Sequence, residues 1–428
     1  MIGSRKAEIA SRLEAARKTT LELFEQVPDV FLRRRVHSFY SPIGWHFGHV
    51  GRTEEYWTCE ATGAETCDER LSFLYADRPD NPKDNRINIP DRQGTLEYLE
   101  RTRAVALRAL AVADLDSSHP LLRDGYAWEF AIQHEYQHQE TITEMLCLIH
   151  REAGSDGLAM APTDEPSQDG EPKWIDIPAG TFMMGSDDLH GYDNEKRAHW
   201  VDVGPFSLAN TPVTVAQWQA FMTDGGYHRE QLWSAEGWAW KCTEDAQSPE
   251  YWVQLPAGDW ACYGMFGLRT LNREEPAMCL SWFEADAFAR WAGKRLPTEI
   301  EWEFAASGLV ERHFPWGDNQ PSDTMATYGR HERGPRAVWS CPKGASPFGA
   351  LDMAGNCWEW TSSKFMPYPG FEPFPYEGYS KDHMGGKHYV CRGGSWATSA
   401  PILRCSFRNW YVPGYRQGFL GVRLAADA

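Results

Sequence analysis

No stretch of this 428-residue chain approaches 18 consecutive apolar residues, so no segment reads as a membrane-spanning helix. The opening residues, MIGSRKAEIASRLEAARKTT, are charged and amphipathic and contain no apolar block of the kind a secretory leader needs. Basic residues are in deficit. Against 60 Asp+Glu there are 42 Lys+Arg, a net charge of −18, which argues against nucleic acid or an anionic membrane as a general partner. A small anionic substrate in a locally basic pocket stays compatible with that balance. The ten cysteines are scattered without a CxxC pair, so they read as reduced thiols and the expected compartment is the cytoplasm. No internal repeat is visible.

What is present is a soluble, core-forming composition. Hydrophobic residues are 42% and charged residues 24%, which excludes disorder, collagen and a disulfide miniprotein. The length predicts two or three domains. Tryptophan is unusually abundant, at 20 residues. Aromatic walls suit cationic ligands, although a Trp-rich fold accounts for the number equally well.

The chain changes texture part-way along. The first 150 residues read as four helices. Ile9, Leu13, Ala16, Leu23 and Val27 mark the apolar face of the first. Ser41-Pro42 reads as an N-cap with proline at the first helical position, opening a second helix through about Glu60. Asp91 caps a third, with Leu96, Leu99, Ala106 and Leu110 at helical spacing, and 126–150 form the fourth. A four-helix bundle over 1–153 follows, and such bundles hold metals between facing helices. Residues 154–173, GSDGLAMAPTDEPSQDGEPK, read as a linker. From 174 to 428, short β-like runs, Gly/Pro-rich turns and two clear helices, near 214–223 and 281–292, predict a compact, loop-rich α+β domain.

The fourth helix carries His134-Glu135-Tyr136-Gln137-His138-Gln139-Glu140. Residues at i and i+4 share a helix face, so His134 and His138 can bind one first-row metal. His49, within WHFGHVGRTEEYW on another helix, can supply a third imidazole. Three imidazoles leave open positions, as a catalytic site requires. His46, three residues earlier, competes with His49 for that role. Glu140 is better placed as an acceptor for an imidazole N–H than as a ligand. An HxxxH pair by itself also arises by chance on amphipathic helices.

The lone His plus HxxxHxE resembles the DinB-like bundle. IPAGTFMMGS (177–186), DNEKRAHWVDVGPFSLANTPVTVAQWQAF (193–221), SWFEADAFARWAGKRLPTEIEWEFAA (281–306), GNCWEW (355–360), RGGSW (392–396), SFRNW (406–410) and GFLGVRLA (418–425) resemble the formylglycine-generating-enzyme (sulfatase-modifying) fold. In this order the motifs resemble the ergothioneine-biosynthesis sulfoxide synthases, the EgtB family. The resemblance implies a DinB-like four-helix bundle followed by a C-type-lectin-like domain, with the active site between them. It implies an iron(II)- and O2-dependent reaction that joins a thiol sulfur to the imidazole C2 of hercynine (Nα-trimethylhistidine) and oxidises that sulfur to the sulfoxide. The family's iron ligands fall on His49, His134 and His138. Its contacts to the hercynine carboxylate fall on Gln137 and Asn409, with Trp410 beside the ligand. Its catalytic tyrosine falls on Tyr376 in PGFEPFPYEGYS, with Tyr379 as the neighbouring candidate. Without the resemblance, both tyrosines read as loop packing.

Two positions depart from the members that use γ-glutamylcysteine. Those carry Asp after the Asn-Trp pair, where this chain has Tyr411. The donor-binding basic pair aligns with Lys83 and Arg86, and a lysine lacks the bidentate guanidinium fork. A solvated loop is the competing reading of this pair. Both departures point to a smaller donor, free L-cysteine, with γ-glutamylcysteine or a selenosugar (a selenoneine-type synthase) as alternatives. More distant readings are a DinB-type thiol transferase, an ovothiol-type synthase without its usual methyltransferase domain, and a lectin-like binding module. A copper oxidase of the formylglycine-generating type would need a second cysteine where Ala400 stands, five residues before Cys405. The expected partners are thus small molecules, hercynine, a thiol and O2. The oligomeric state is open, a monomer included.

Overall fold

The computed structural model describes residues 2–154 and 172–428, and most of the expected linker lies outside the described residues. The chain divides into two compact units, Met1–Gly154 and Ser155–Ala428. Among the described residues no helix is long and apolar enough to cross a membrane.

The first unit is helical: α1 (Ile2–Glu25), α2 (Ile43–Thr62), a short α3 (Glu69–Leu74), α4 (Arg92–Val112) and α5 (Tyr126–Ala153). Of the apolar residues predicted to face inward, Ile9, Leu13, Ala16, Leu23, Val27, Leu99, Ala106 and Leu110 are buried, and Leu96 is half-buried. The Asp91 carboxylate accepts from the Gly94 N–H at 2.9 Å and caps α4 as its sequence predicts. The start of α2 differs from expectation. Pro42 occupies the cap position without a side-chain cap, because the Ser41 hydroxyl accepts instead from Arg86 at 2.9 Å.

A buried ionic group ties the four long helices together. Glu54 of α2 accepts from Arg17 of α1 (2.6 Å) and from Arg103 of α4 (2.6 and 3.0 Å). Glu135 of α5 accepts from Arg17 at 2.9 Å and from the Thr20 hydroxyl at 2.6 Å. Such a group specifies helix register, since any slip strands a charge in the core.

The second unit contains β1 (Trp174–Ile177), β2 (Gly180–Met184), β3 (His199–Val203), β4 (Phe206–Ala209), α6 (Val215–Thr223), α7 (Ala235–Thr243), β5 (Trp252–Gln254), β6 (Trp260–Gly264), β7 (Gly267–Thr270), α8 (Trp282–Trp291), α9 (Glu299–Ser307), β8 (Trp358–Lys364), α10 (Glu377–Ser380), β9 (Tyr389–Arg392), β10 (Asn409–Tyr411), β11 (Leu420–Gly421) and β12 (Ala425–Asp427). The strands form small sheets ordered β1-β4-β12, β10-β9-β8-β11, β2-β3 and β5-β6-β7. In the four-stranded sheet β9 pairs antiparallel with both β8 and β10, and β11 runs parallel to β8.

Among the described residues three helices beyond the expected pair occur here, α7, α9 and the one-turn α10. The nine residues of α9 bury Glu299, Trp302, Glu303 and the run Phe304–Ser307, so an apolar face never separates from a polar one and the helical period is hidden. The carboxylates on α9 meet buried arginines. Glu299 accepts from Arg408 at 2.7 and 3.0 Å and from Arg392 at 3.0 Å, while Glu303 pairs with Arg392. Glu359 on β8 holds Arg423 at 2.7 and 2.8 Å and accepts from the Trp302 indole at 2.6 Å. The charged residues of the GNCWEW, RGGSW and SFRNW motifs are therefore part of the fold's internal framework.

Candidate functional site

The first unit brings His49 of α2 together with His134 and His138 of α5. One ring nitrogen from each lies within 4.8 Å of the others. Ring centroids are 5.0 Å apart for His49–His134, 4.8 Å for His49–His138 and 4.4 Å for His134–His138. The His49 Nδ1 is 2.6 Å from the Tyr75 carbonyl. A carbonyl only accepts, so this nitrogen carries the proton and Nε2 presents its lone pair. Tyr75 ends α3 and lies flat against α2. A Cβ at position 48 would stand 2.1 Å from its ring, so Gly48 is what allows the approach that delivers the carbonyl. Trp45 stacks on His49 at 4.3 Å.

His46 takes a different place from His49. Its Nδ1 lies 3.1 Å from the His138 Nδ1, a hydrogen bond between imidazoles. When His138 is the donor in that bond, its Nδ1 carries the proton and its Nε2 keeps a lone pair free for a metal. For His49 and His138, the orienting partners are thus the Tyr75 carbonyl and His46. Glu140 is buried further along α5.

Burial, and then the neighbouring imidazoles, hold His46, His49 and His134 well below the ordinary value of 6.5. Burial takes His138 down to about 4, with Asp77 opposing. The rings are neutral at physiological pH, the form that binds metal. The His134 Nδ1 is buried without a hydrogen-bond partner. Such an atom is uncommon, and a metal ion would satisfy it. The donor set fits one first-row ion with positions left open.

Of the basic pair, Arg86 is buried and committed. Its guanidinium donates to the Asn81 carbonyl (3.0 Å), the Ser41 hydroxyl (2.9 Å) and Asp77 (2.5 Å), and it lies over the Trp45 ring. Lys83 is half-buried and donates to the Phe39 carbonyl. Lys83 lies in a turn between exposed Pro82 and Asp84. Gln137 is half-buried, one residue before His138.

In the second unit Asn409, Trp410 and Tyr411 form edge strand β10, all half-buried. Strand alternation puts Asn409 and Tyr411 on one face, where the Asn409 amide lies 3.4 Å from the Tyr411 hydroxyl. Tyr411 stacks on Tyr415 at 4.1 Å. Trp410, on the opposite face, stacks on Phe365 at 4.1 Å and meets the edge of Tyr379 at 6.0 Å. Tyr379 also packs on Tyr192 at 4.5 Å, and Tyr376 stands 6.3 Å from Tyr379, 41% exposed. Tyr379 therefore lies beside Trp410, with Tyr376 next to Tyr379. Cys405 is buried, and burial next to Glu303 pushes its thiol far above the ordinary range, which is unsuited to a thiolate metal ligand.

Three features escaped the sequence reading: the Tyr75 carbonyl, the His46–His138 pair and the buried turn Asp193–Glu195. The first two arise from backbone and packing and leave no motif. The third lies within DNEKR, a run of polar residues that carries no local signal of burial.

A DinB-type bundle carrying a three-histidine cluster, followed by a sulfatase-modifying-factor domain, defines the class. Residues 12–142 match the DinB superfamily and 160–428 the sulfatase-modifying factor enzyme 1-like domain. The chain is 38% identical to a hercynine oxygenase of Mycolicibacterium smegmatis, covering 98% of each chain. It is 37% identical to that of Mycobacterium tuberculosis, covering 98% of this chain and 99% of that one. A formylglycine-generating enzyme of Mus musculus is 30% identical across 65% of this chain and 80% of its own length. The chain belongs to the hercynine oxygenase family.

Proposed function

We propose that this chain joins a thiol, L-cysteine by preference, to the imidazole C2 of hercynine with iron(II) and O2, forming the sulfoxide of ergothioneine biosynthesis. The observation that carries this reading is a neutral three-histidine cluster in a chain that aligns with hercynine oxygenases over 98% of its residues. Making C–S from C–H and S–H removes two electrons, and sulfoxidation removes two more. O2 accepts all four, placing one oxygen on sulfur and releasing the other as water, so no external reductant is required. Zinc has no redox state to contribute, which favours iron among the metals that imidazoles bind. When bound, iron(II) supplies O2 activation and a position for the thiolate.

The protein residues divide the remaining tasks. His49, His134 and His138 would hold the ion, two of them oriented by the Tyr75 carbonyl and His46. Gln137 and Asn409 donate amide N–H groups to the hercynine carboxylate. Trp410 offers an aromatic face to the trimethylammonium, which has no N–H to donate. Tyr376 delivers the phenolic proton, with Tyr379 as the second candidate. Lys83, with N–H groups beyond the one given to Phe39, faces the donor's carboxylate. Arg86 backs it by fixing the loop.

Anaerobic Fe(II) titration followed by O2, hercynine and single thiols tests the proposal, with O2 uptake and product mass as readouts. Uptake that needs both substrates and yields the sulfoxide is expected. No uptake with any thiol would overturn it in favour of a transferase or a binding module. Tyr376→Phe is expected to keep metal and hercynine binding and lose sulfoxide formation. A wild-type rate in that variant reassigns the proton to Tyr379.

A further inference from the structure

The turn Asp193–Glu195 holds three consecutive polar side chains that are 3%, 1% and 0% exposed. The Asp193 and Asn194 side chains meet at Ser380, and Glu195 reaches Arg404 and Ser406. The two Asp193 carboxylate oxygens accept from the Ser380 hydroxyl at 2.5 Å and from the Phe374 backbone N–H at 3.1 Å. The Asn194 amide donates to the same Ser380 hydroxyl at 3.0 Å, which directs the hydroxyl proton toward Asp193. The Asn194 backbone carbonyl accepts from Arg408 at 2.8 Å. Glu195 accepts from Arg404 and, at 2.7 Å, from the Ser406 hydroxyl.

We propose that Asp193 is a positioning residue for the tyrosine loop, its carboxylate clamping both ends of the segment that carries Tyr376 and Tyr379. The inference rests on the reading above, in which this loop supplies the proton to the reaction. Phe374 and Ser380 bracket the two tyrosines, and one carboxylate fixes both. Burying a carboxylate is unfavourable unless its oxygens are matched, and here each has a donor. A loop that needed only packing could close on apolar contacts. A directional clamp instead fixes where the phenols stand, and misplacement by about 1 Å can cost on the order of 10²-fold in rate. The segment carrying Asn409 and Trp410 is anchored by the Asn194 backbone carbonyl and the Glu195 carboxylate, and neither tie uses the Asp193 side chain.

The test uses the full-length iron-loaded enzyme, together with backbone hydrogen exchange. Asp193→Ala is expected to speed exchange across 374–380 and leave 404–411 and the KM for hercynine near wild type. The kcat for sulfoxide should fall by ~10²-fold. Reacted O2 should be diverted to the thiol sulfinate, which takes up both oxygen atoms and needs no hercynine carbon. Asp193→Asn keeps an acceptor for Phe374 and should restore part of the coupling. Ser380→Ala removes one of the two ties and should give a weaker form of both effects. It decides the matter if Asp193→Ala fails to fold. Native exchange across 374–380 in the variants, or loosened exchange with a wild-type ratio of sulfoxide to sulfinate, overturns the proposal. A wild-type enzyme that forms no sulfoxide defeats the functional reading instead, and the exchange data then still decide the clamp.

Discussion

Acid should weaken the metal-free protein through its histidine cluster, and His138 allows the size to be worked out. In the unfolded chain an imidazole titrates near 6.5, and in the folded protein His138 titrates at about 4. The unfolded state therefore binds the extra proton between these values, and stability falls as pH falls through that window. Above pH 6.5 the contribution is absent, and below about 4 it is fully developed. At ~1.36 kcal/mol per pH unit, the whole window amounts to ~3 kcal/mol. His138 keeps a partly exposed edge, so solvent takes back some of this and ~2 kcal/mol is the working figure. His138→Gln removes the titrating group and keeps an amide able to bond His46. Urea unfolding in chelator at pH 7.5 and 4.5 gives the loss of stability for each protein. The wild type should lose ~2 kcal/mol more than the variant. Adding Fe(II) anaerobically should move the acid limb of the wild type to lower pH, because the metal competes with protons for the same nitrogens. Equal losses in wild type and variant would show that burial of His138 carries no proton linkage and would refute the reasoning.

Two further predictions follow from single contacts. Tyr411→Asp places a carboxylate beside the Asn409 amide. It should shift the ratio of kcat/KM from L-cysteine toward γ-glutamylcysteine, by ~1–3 kcal/mol if the new contact is shielded from water. Competition with both thiols present measures this, and a wild-type preference for γ-glutamylcysteine would assign donor choice to the Lys83 loop instead. Glu54→Ala takes the close carboxylate partner from buried Arg103 and leaves Arg17 with Glu135 alone, and should destabilise the first unit by ~3–5 kcal/mol in denaturant unfolding. A loss below 1 kcal/mol, the scale of surface pairs, would mean that water reaches the group.

The sequence by itself determined the elements whose signal is local. Amphipathic spacing marks α1, α4 and α5, Asp91 marks the start of α4, and i, i+4 spacing on α5 puts His134 and His138 on one face. The order of motifs marked the two kinds of unit. Tertiary structure alone decided what depends on groups far apart in the chain. Whether His46 or His49 completes the triad cannot be read from two residues on nearly the same helical face. The choice turns on the Tyr75 carbonyl, carried in by α3 and admitted by Gly48. Ser41 has the composition of a cap, but its hydroxyl is taken by Arg86, 45 residues away. The Asp193 clamp joins residues 187 positions apart. The helix α9 is buried almost all round, so its period vanished from the pattern. Local propensity and period act over a few residues and are written in the sequence. A hydrogen-bond acceptor or an ion pair supplied from a distant segment depends on where folding brings that segment.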